Sequence, residues 1–316
     1  MISDAAVRDR TFVWSERTAG SVIVATSAVA FSTAGLFTRL IAVDVWTMLF
    51  WRGLFGGLLI GGYIAWQERG VVRAAFASIG WAGILAATCS TVATICFIAS
   101  LRATTVADVT IIYATAPFIA AVIAWAWTRE YPHRGTLAAS GLALLGVVVM
   151  FGGPSSTGRM RGDLLALAMT ALMALMMVVI RRNRRVSMLP AAYLSAFACS
   201  VAVLPLAHPG AVGGQDMGLL ALFGTTQFGL GLLLLTVGSR LVSATRASLL
   251  ANLELPFAPL WVWLAFDEVP SRLTVVGGGI VCAAVLLDMA AERGRTISWA
   301  EKAEGPGHKP EASTLL

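Results

Sequence analysis

Residues 105–132, TVADVTIIYATAPFIAAVIAWAWTREYP, and residues 243–270, SATRASLLANLELPFAPLWVWLAFDEVP, follow one pattern. Each is apolar and long enough to cross a bilayer. Each holds an internal proline (Pro117, Pro256), a tryptophan pair (Trp125 and Trp127, Trp261 and Trp263) and a closing acid-x-Pro (Glu130-Tyr131-Pro132, Glu268-Val269-Pro270). The internal prolines are 139 positions apart and the closing ones 138. Chance agreement on that scale is improbable even in apolar sequence, so the chain reads as an internal duplication.

Composition sets the solvent. The chain is 58% hydrophobic and 13% charged, with a mean hydropathy of +0.80. Soluble domains are about half apolar and a quarter charged, so this is a polytopic, all-α integral membrane protein. The four cysteines (Cys89, Cys96, Cys199, Cys282) lie in apolar stretches and read as packing residues. The three histidines (His133, His208, His308) fall in connections or the tail, so no metal site and no cofactor is expected. No G-x-x-x-x-G-K-S/T phosphate loop is present, which leaves ATP-driven work without a motif.

Ten candidate spans follow a short N-terminal segment (1–18). Their limits are 19–41, 46–66, 77–100, 105–127, 135–152, 163–180, 189–207, 217–237, 244–266 and 273–290. The weak connection at 101–104 is where two spans could merge. With the N-terminus in the cytoplasm, 17 of the 23 Lys and Arg fall on the inner side and five on the outer, with Arg52 inside a span. That bias places both termini in the cytoplasm of a multi-pass inner-membrane protein, and it explains the net charge of +6 without nucleic acid. Five spans per copy is an odd number, so the fourth span and its echo, the ninth, cross in opposite directions. The expected fold is two inverted five-helix repeats, 19–152 and 163–290, joined by an extracytoplasmic connection (153–162) and followed by a disordered cytoplasmic tail (291–316).

Charge within a span is costly and should face a cavity, a partner or the interface. Asp163, Asp288 and Arg39 lie near span ends and read as interfacial anchors. Glu254 lies about 15 Å from the cytoplasmic end of span nine, and Arg52 about 9 Å from the outer end of span two. They could pair with each other and fix helix register, or Arg52 could meet a substrate carboxylate while Glu254 carries a coupling proton. Pro117 and Pro256 should free the carbonyls of Tyr113 and Asn252 at matching places. Thr115 aligns with Glu254, and Asp108 precedes Thr115 by seven residues. Thr88 and Gln227 are again 139 apart in spans three and eight. The candidate substrate site is Arg52, Thr88, Tyr113, Thr115, Gln227 and Asn252, with Glu254 and Asp108 as candidate proton-coupling groups. For a single Thr or Gln, interhelical hydrogen bonding is the plainer role.

Gly53, Gly57 and Gly61 recur every four residues and should let another helix approach span two; Gly277, Gly278 and Gly279 could do so in span ten. The tryptophans cluster near span ends (Trp46, Trp66, Trp81, Trp125, Trp127, Trp261, Trp263), as an interfacial belt would.

With these features in place, the chain resembles the drug/metabolite transporter superfamily, particularly its EamA-like ten-helix exporters. The matching features are the two five-helix repeats, Trp51-Arg52-Gly53 early in span two, the proline-bearing fourth helix of each repeat, and the acid-x-Pro junctions before spans five and ten. The resemblance implies an inner-membrane carrier for small metabolites, often amino acids and their relatives, commonly acting as an exporter. It also implies a central cavity lined by the first four helices of each repeat, and it matches Arg52 to the arginine usual in helix two. Glu254 and Asp108 correspond to no motif of that family. The expectation is a secondary transporter and not an enzyme, with a small-molecule substrate and the lipid bilayer as partners and an open oligomeric state. A passive pore or facilitator and, less so, an integral-membrane lipid-modifying enzyme are the alternatives.

Overall fold

A computed structural model describes residues 3–67, 79–128, 134–151, 156–183, 188–242, 247, 250–284 and 286–287. The described residues are helical, without strands. Six helices are long and apolar enough to cross a membrane: α1 (Thr18–Leu40), α2 (Val45–Gln67), α3 (Gly80–Ala103), α4 (Val106–Trp127), α6 (Arg159–Ile180) and α8 (Gly214–Leu241). The shorter apolar helices are α5 (Ala138–Val149), α7 (Leu189–Val203), α9 (Glu254–Phe266) and α10 (Arg272–Ala284). The N-terminal segment is helical from Ser3 and runs on into α1 without a break. Residues 291–316, Asp288, and the Glu130-Tyr131-Pro132 junction lie outside the described residues.

Spans three and four do not merge. Thr104 is extended (φ −141°, ψ −175°), and Thr105 caps α4 by accepting the Asp108 N–H on its hydroxyl. α2 starts on a similar device: Asp44 Oδ1 accepts the N–H groups of Trp46 and Thr47. Burial raises the Asp44 carboxyl, but those bonds outweigh it and hold it below its ordinary value. α1 bends at Thr33, where Ser32 and Thr33 turn their hydroxyls back on the carbonyls of Val29 and Ala30.

α4 and α9 break where the sequence pattern points, though slightly earlier than the prolines themselves. α4 is interrupted at Ala114 and Thr115, ahead of Pro117, and the helix of α9 restarts at Glu254, ahead of Pro256. The Asn252 carbonyl is not left free: it accepts the Leu255 N–H at 3.1 Å. Pro259, a further proline, sits inside α9. α8 carries a π-helical stretch, Phe223–Leu230, that the apolar pattern gives no warning of.

The packing is ordered by the sequence echo. α1 lies on α8, and α3 on α6; α2 lies on α8, and α3 on α7; α1 lies on α9, and α4 on α6; α2 meets α7, and α4 meets α9. Exchanging α1–α5 for α6–α10 returns the same set of pairs. The glycine face of α2 explains one of them. A β-carbon at Gly53 would stand 2.5 Å from Ser200 Oγ, one at Gly57 2.8 Å from Phe197, and one at Gly61 2.5 Å from Tyr193. Contacts that climb α2 while descending α7 mean that the two helices are antiparallel. α4 and α9 are antiparallel too, because Val106 meets Glu268 while Ile111 and Leu255 share one apolar cluster. So are α5 and α10, where Gly146 meets Gly277 and Ala139 packs with Ala284.

The outer surface is apolar. Leu58, Ile84, Leu144, Val148, Met177, Val201 and Leu264 are each more than half exposed, as lipid-facing side chains should be. Trp66, Trp81, Trp125, Trp127 and Trp263 are exposed near helix ends and fit the interfacial belt. Trp261 departs from it: its indole N–H donates to Ser32 Oγ at 2.9 Å, tying α9 to α1.

Replacing Gly53 with Val should force α2 and α7 apart, because Ser200 Oγ and the Ala196 carbonyl leave no room. Overpacking of this kind costs about 1–3 kcal/mol. Gly62→Ala, where nothing lies within 4 Å of the added carbon, should be nearly neutral. Thermal unfolding in detergent separates the two; equal midpoints would refute the close approach.

Candidate functional site

Among the described charged residues Arg52 is the least exposed. It is 4% exposed, on the face of α2 that meets the π-helical part of α8. Two glycines permit the approach: a β-carbon at Gly56 would be 2.8 Å from the Gly224 carbonyl, and one at Gly224 2.7 Å from that of Arg52. The wider π turn points Gln227 at the guanidinium. Arg52 Nε and Nη2 donate to Gln227 Oε1 at 3.1 and 2.9 Å. Gln227 is fixed in turn, because its amide nitrogen donates to the Phe31 carbonyl at 3.3 Å.

Phe223 and Phe228, one helical turn apart within that stretch, bracket the cation, with ring centroids 5.2 and 4.8 Å from Arg52 Cζ. Such contacts stabilise a desolvated guanidinium by about 2 kcal/mol. The aromatic cradle is the part of this site that sequence reading missed. Its only sequence signal is FGTTQFG, an aromatic and glycine at each end of a polar centre. Among the described residues no carboxylate pairs with Arg52; the ion pairs there are Arg39–Glu268 and Arg159–Asp108. The expected alternative of an Arg52–Glu254 pair is therefore replaced by a neutral partner, and among the described residues Nη1 has no hydrogen-bond acceptor.

The other predicted site residues divide. Tyr113 and Glu254 lie on α4 and α9, helices that pack on each other, each beside the break in its helix. Thr115 is buried, but its hydroxyl is spent on the Ile112 carbonyl at 2.6 Å, closing the helix break. Asn252 and Pro256 are exposed on the same face as Trp263, four and eleven residues along, so they look outward. Glu254, two residues from Asn252, points the other way.

Thr88 lies apart from the residues around Arg52. It is exposed in a stripe with Trp81, Ile84 and Val92, and its hydroxyl donates to the Ile84 carbonyl. That face of α3 is turned away from α6 and α7. Thr91, on the buried side of α3, donates to the Ala87 carbonyl at 2.8 Å and lies 3.2 Å from that of Ser195 on α7.

Asp108 belongs to a separate polar cluster at the end of the bundle. Its Oδ1 accepts from Thr274 Oγ1 at 2.6 Å, and its Oδ2 from Thr104 Oγ1 at 3.3 Å and Arg159 Nη1 at 3.4 Å. Thr104 Oγ1 also lies 2.7 Å from Asp163 Oδ1. Asp163, expected as a simple interfacial anchor, is 8% exposed and built into this cluster. Arg39, expected likewise, is bound to Glu268.

The EamA-like transporter family matches residues 18–152 and again 160–289. The chain belongs to that family. It is a multi-pass membrane transporter of the drug/metabolite type, from a family whose members are generally not enzymes. The two matches fall on the two halves that the packing exchanges. A solved structure, described only as a crystal structure of a protein, is 18% identical with a TM-score of 0.60. It covers 87% of this chain and 98% of its own, and at that identity it shows a shared fold alone. No curated protein matches the EamA-like chain.

Gln227→Leu should leave the buried guanidinium without an acceptor. Hydrogen bonds to charged groups contribute about 1.5–3 kcal/mol, so the midpoint of thermal unfolding should fall by several degrees. An unchanged midpoint would mean that Arg52 finds another acceptor.

Proposed function

We propose that this EamA-like protein is a secondary transporter that carries a small metabolite bearing a carboxylate or similar anionic group, such as an amino acid or a relative of one. The observation that carries this reading is Arg52: a buried cation whose bonded partner is neutral, with Nη1 meeting no acceptor among the described residues. A charge at membrane depth without a counter-charge is costly, and intramembrane ionisable residues commonly mark substrate or ion pathways. A carboxylate arriving at Nη1 would supply the missing charge, and guanidinium–carboxylate hydrogen bonds are among the stronger ones.

Alternating access by two inverted five-pass repeats fits the antiparallel pairs α2/α7, α4/α9 and α5/α10, and the exchange symmetry of the packing. The charge bias supports an inner-membrane protein with both termini cytoplasmic. Export is the direction that the resemblance favours. Glu254, the carboxylate in the broken part of α9, is the group we assign to proton coupling.

Counterflow in proteoliposomes, screened with radiolabelled amino acids and other small carboxylates, tests the reading. Saturable exchange is expected; flux without counterflow would identify a pore. Gln227→Glu, which gives Arg52 a carboxylate of its own, should reduce exchange at least tenfold without lowering the thermal midpoint. Undiminished exchange in that variant would remove Arg52 from the substrate site. Glu254→Gln should abolish the response of transport to an imposed pH gradient and preserve counterflow. If the response to pH persists, Glu254 does not carry the proton.

A further inference from the structure

Glu268 stands in the turn between α9 and α10, and the backbone aims it. Asp267 ends α9 in the left-handed region (φ 53°), with its N–H on the Trp263 carbonyl, and reverses the chain there. Ser271 accepts the Thr274 N–H on its hydroxyl and starts α10 at once. The short turn between holds Glu268 against the first half of the chain. One carboxylate oxygen, Oε2, accepts from Arg39 Nε at 2.9 Å; the other, Oε1, accepts the Val106 N–H at 3.0 Å, at the first turn of α4. A carboxylate at a helix N-terminus is favourable in its own right.

Arg39 uses its remaining nitrogens on the same side. Nη1 donates to the Leu101 carbonyl and Nη2 to that of Thr104 at 3.0 Å, both at the end of α3. One guanidinium and one carboxylate thus join α1, α3 and α4 of the first family match to the α9–α10 turn of the second. Both side chains are 22% exposed, so the pair is only partly screened. Arg102 makes a useful contrast. It donates to the carbonyls of Ile41 and Val43, ties that stay within the first match.

We propose that Arg39 and Glu268 form a latch that holds the extracytoplasmic mouth of the transporter closed, and that must part for the outward-open state. The proposal rests on the carrier reading above and on its orientation. The reason is geometric. Opening this end requires the two halves to separate there, and the ion pair and the Val106–Glu268 bond span that boundary, while the two backbone bonds of Arg39 anchor its guanidinium to the first half. Inside the latch, Ser32 is fully buried where α1 meets Trp261 of α9, next to Phe31, whose carbonyl holds Gln227. A mouth opening between α1 and α9 would uncover Ser32 first.

The test is thiol accessibility. Ser32→Cys, in a background with the four native cysteines replaced by Ser or Ala, is labelled with a membrane-impermeant maleimide in right-side-out and inside-out vesicles. Labelling from the extracytoplasmic face should be slow and should rise about tenfold with Glu268→Gln, and again with Arg39→Gln. Arg102→Gln should leave it unchanged. No rise, a rise from the cytoplasmic face, or an equal rise with Arg102→Gln overturns the latch. Two independent variants guard against one of them failing to fold. Counterflow of pooled radiolabelled L-amino acids by the unmutated protein is read separately. Latch-dependent labelling without exchange would retain the gated mouth and remove the carrier; exchange with unresponsive labelling would do the reverse.

Discussion

Arg52 needs a neighbourhood that a lipid-facing helix cannot supply, and much of the centre of this bundle is shaped by that need. A guanidinium removed from water must have acceptors and polarizable surface around it. α8 provides both in one π-helical stretch, with Gln227 as acceptor and Phe223 and Phe228 as faces. That stretch can reach Arg52 only because Gly56 and Gly224 let the backbones nearly touch. On its adjacent side, α2 meets α7 through Gly53, Gly57 and Gly61. In lipid there is little hydrophobic gain from joining helices, so close packing of small residues and polar contacts must hold the bundle. Here the small residues also create the approach that the charge requires.

The polar interactions fall into two groups with different consequences. The central group is sparse: one cation bonded to one amide and faced by two rings, with Tyr113 and Glu254 at the breaks of α4 and α9. The group at the end of the bundle is dense. Arg39 with Glu268, Asp108 with Thr274 and Arg159, and Asp163 with Thr104 join the helix ends of both halves. A central cation with no paired carboxylate among the described residues and an end that is well tied would be complementary features of the carrier proposed above. In the proposed carrier the first would supply affinity, and the second would keep the path from being open at both ends.

Several features were legible in the residues because they follow from local chemistry. Apolar runs gave the six long helices to within a few residues, and the every-fourth glycines gave the close face of α2. The extended Thr104 kept α3 and α4 apart at the place where sequence alone could not decide. The candidate site was legible only in part. Equal spacing in two repeats suggested Thr88 as the partner of Gln227, yet Thr88 lies in the exposed stripe with Trp81 and Ile84. The π turn changes which residues of α8 face inward, so a shift of 139 positions no longer relates faces. Asp163 and Arg39 read as anchors because their partners are 59 and 229 residues away.

The sequence by itself determined the solvent, the helical class, the duplication and the family resemblance. These depend on composition and on short-range periodicity, which every residue reports locally. Tertiary structure alone decided which polar groups meet. A helix offers each side chain several neighbouring helices, and the choice among them depends on axial register and on a local change of pitch. Arg52 faces Gln227 and two phenyl rings and no carboxylate, because a π turn in α8 and two glycines place them there.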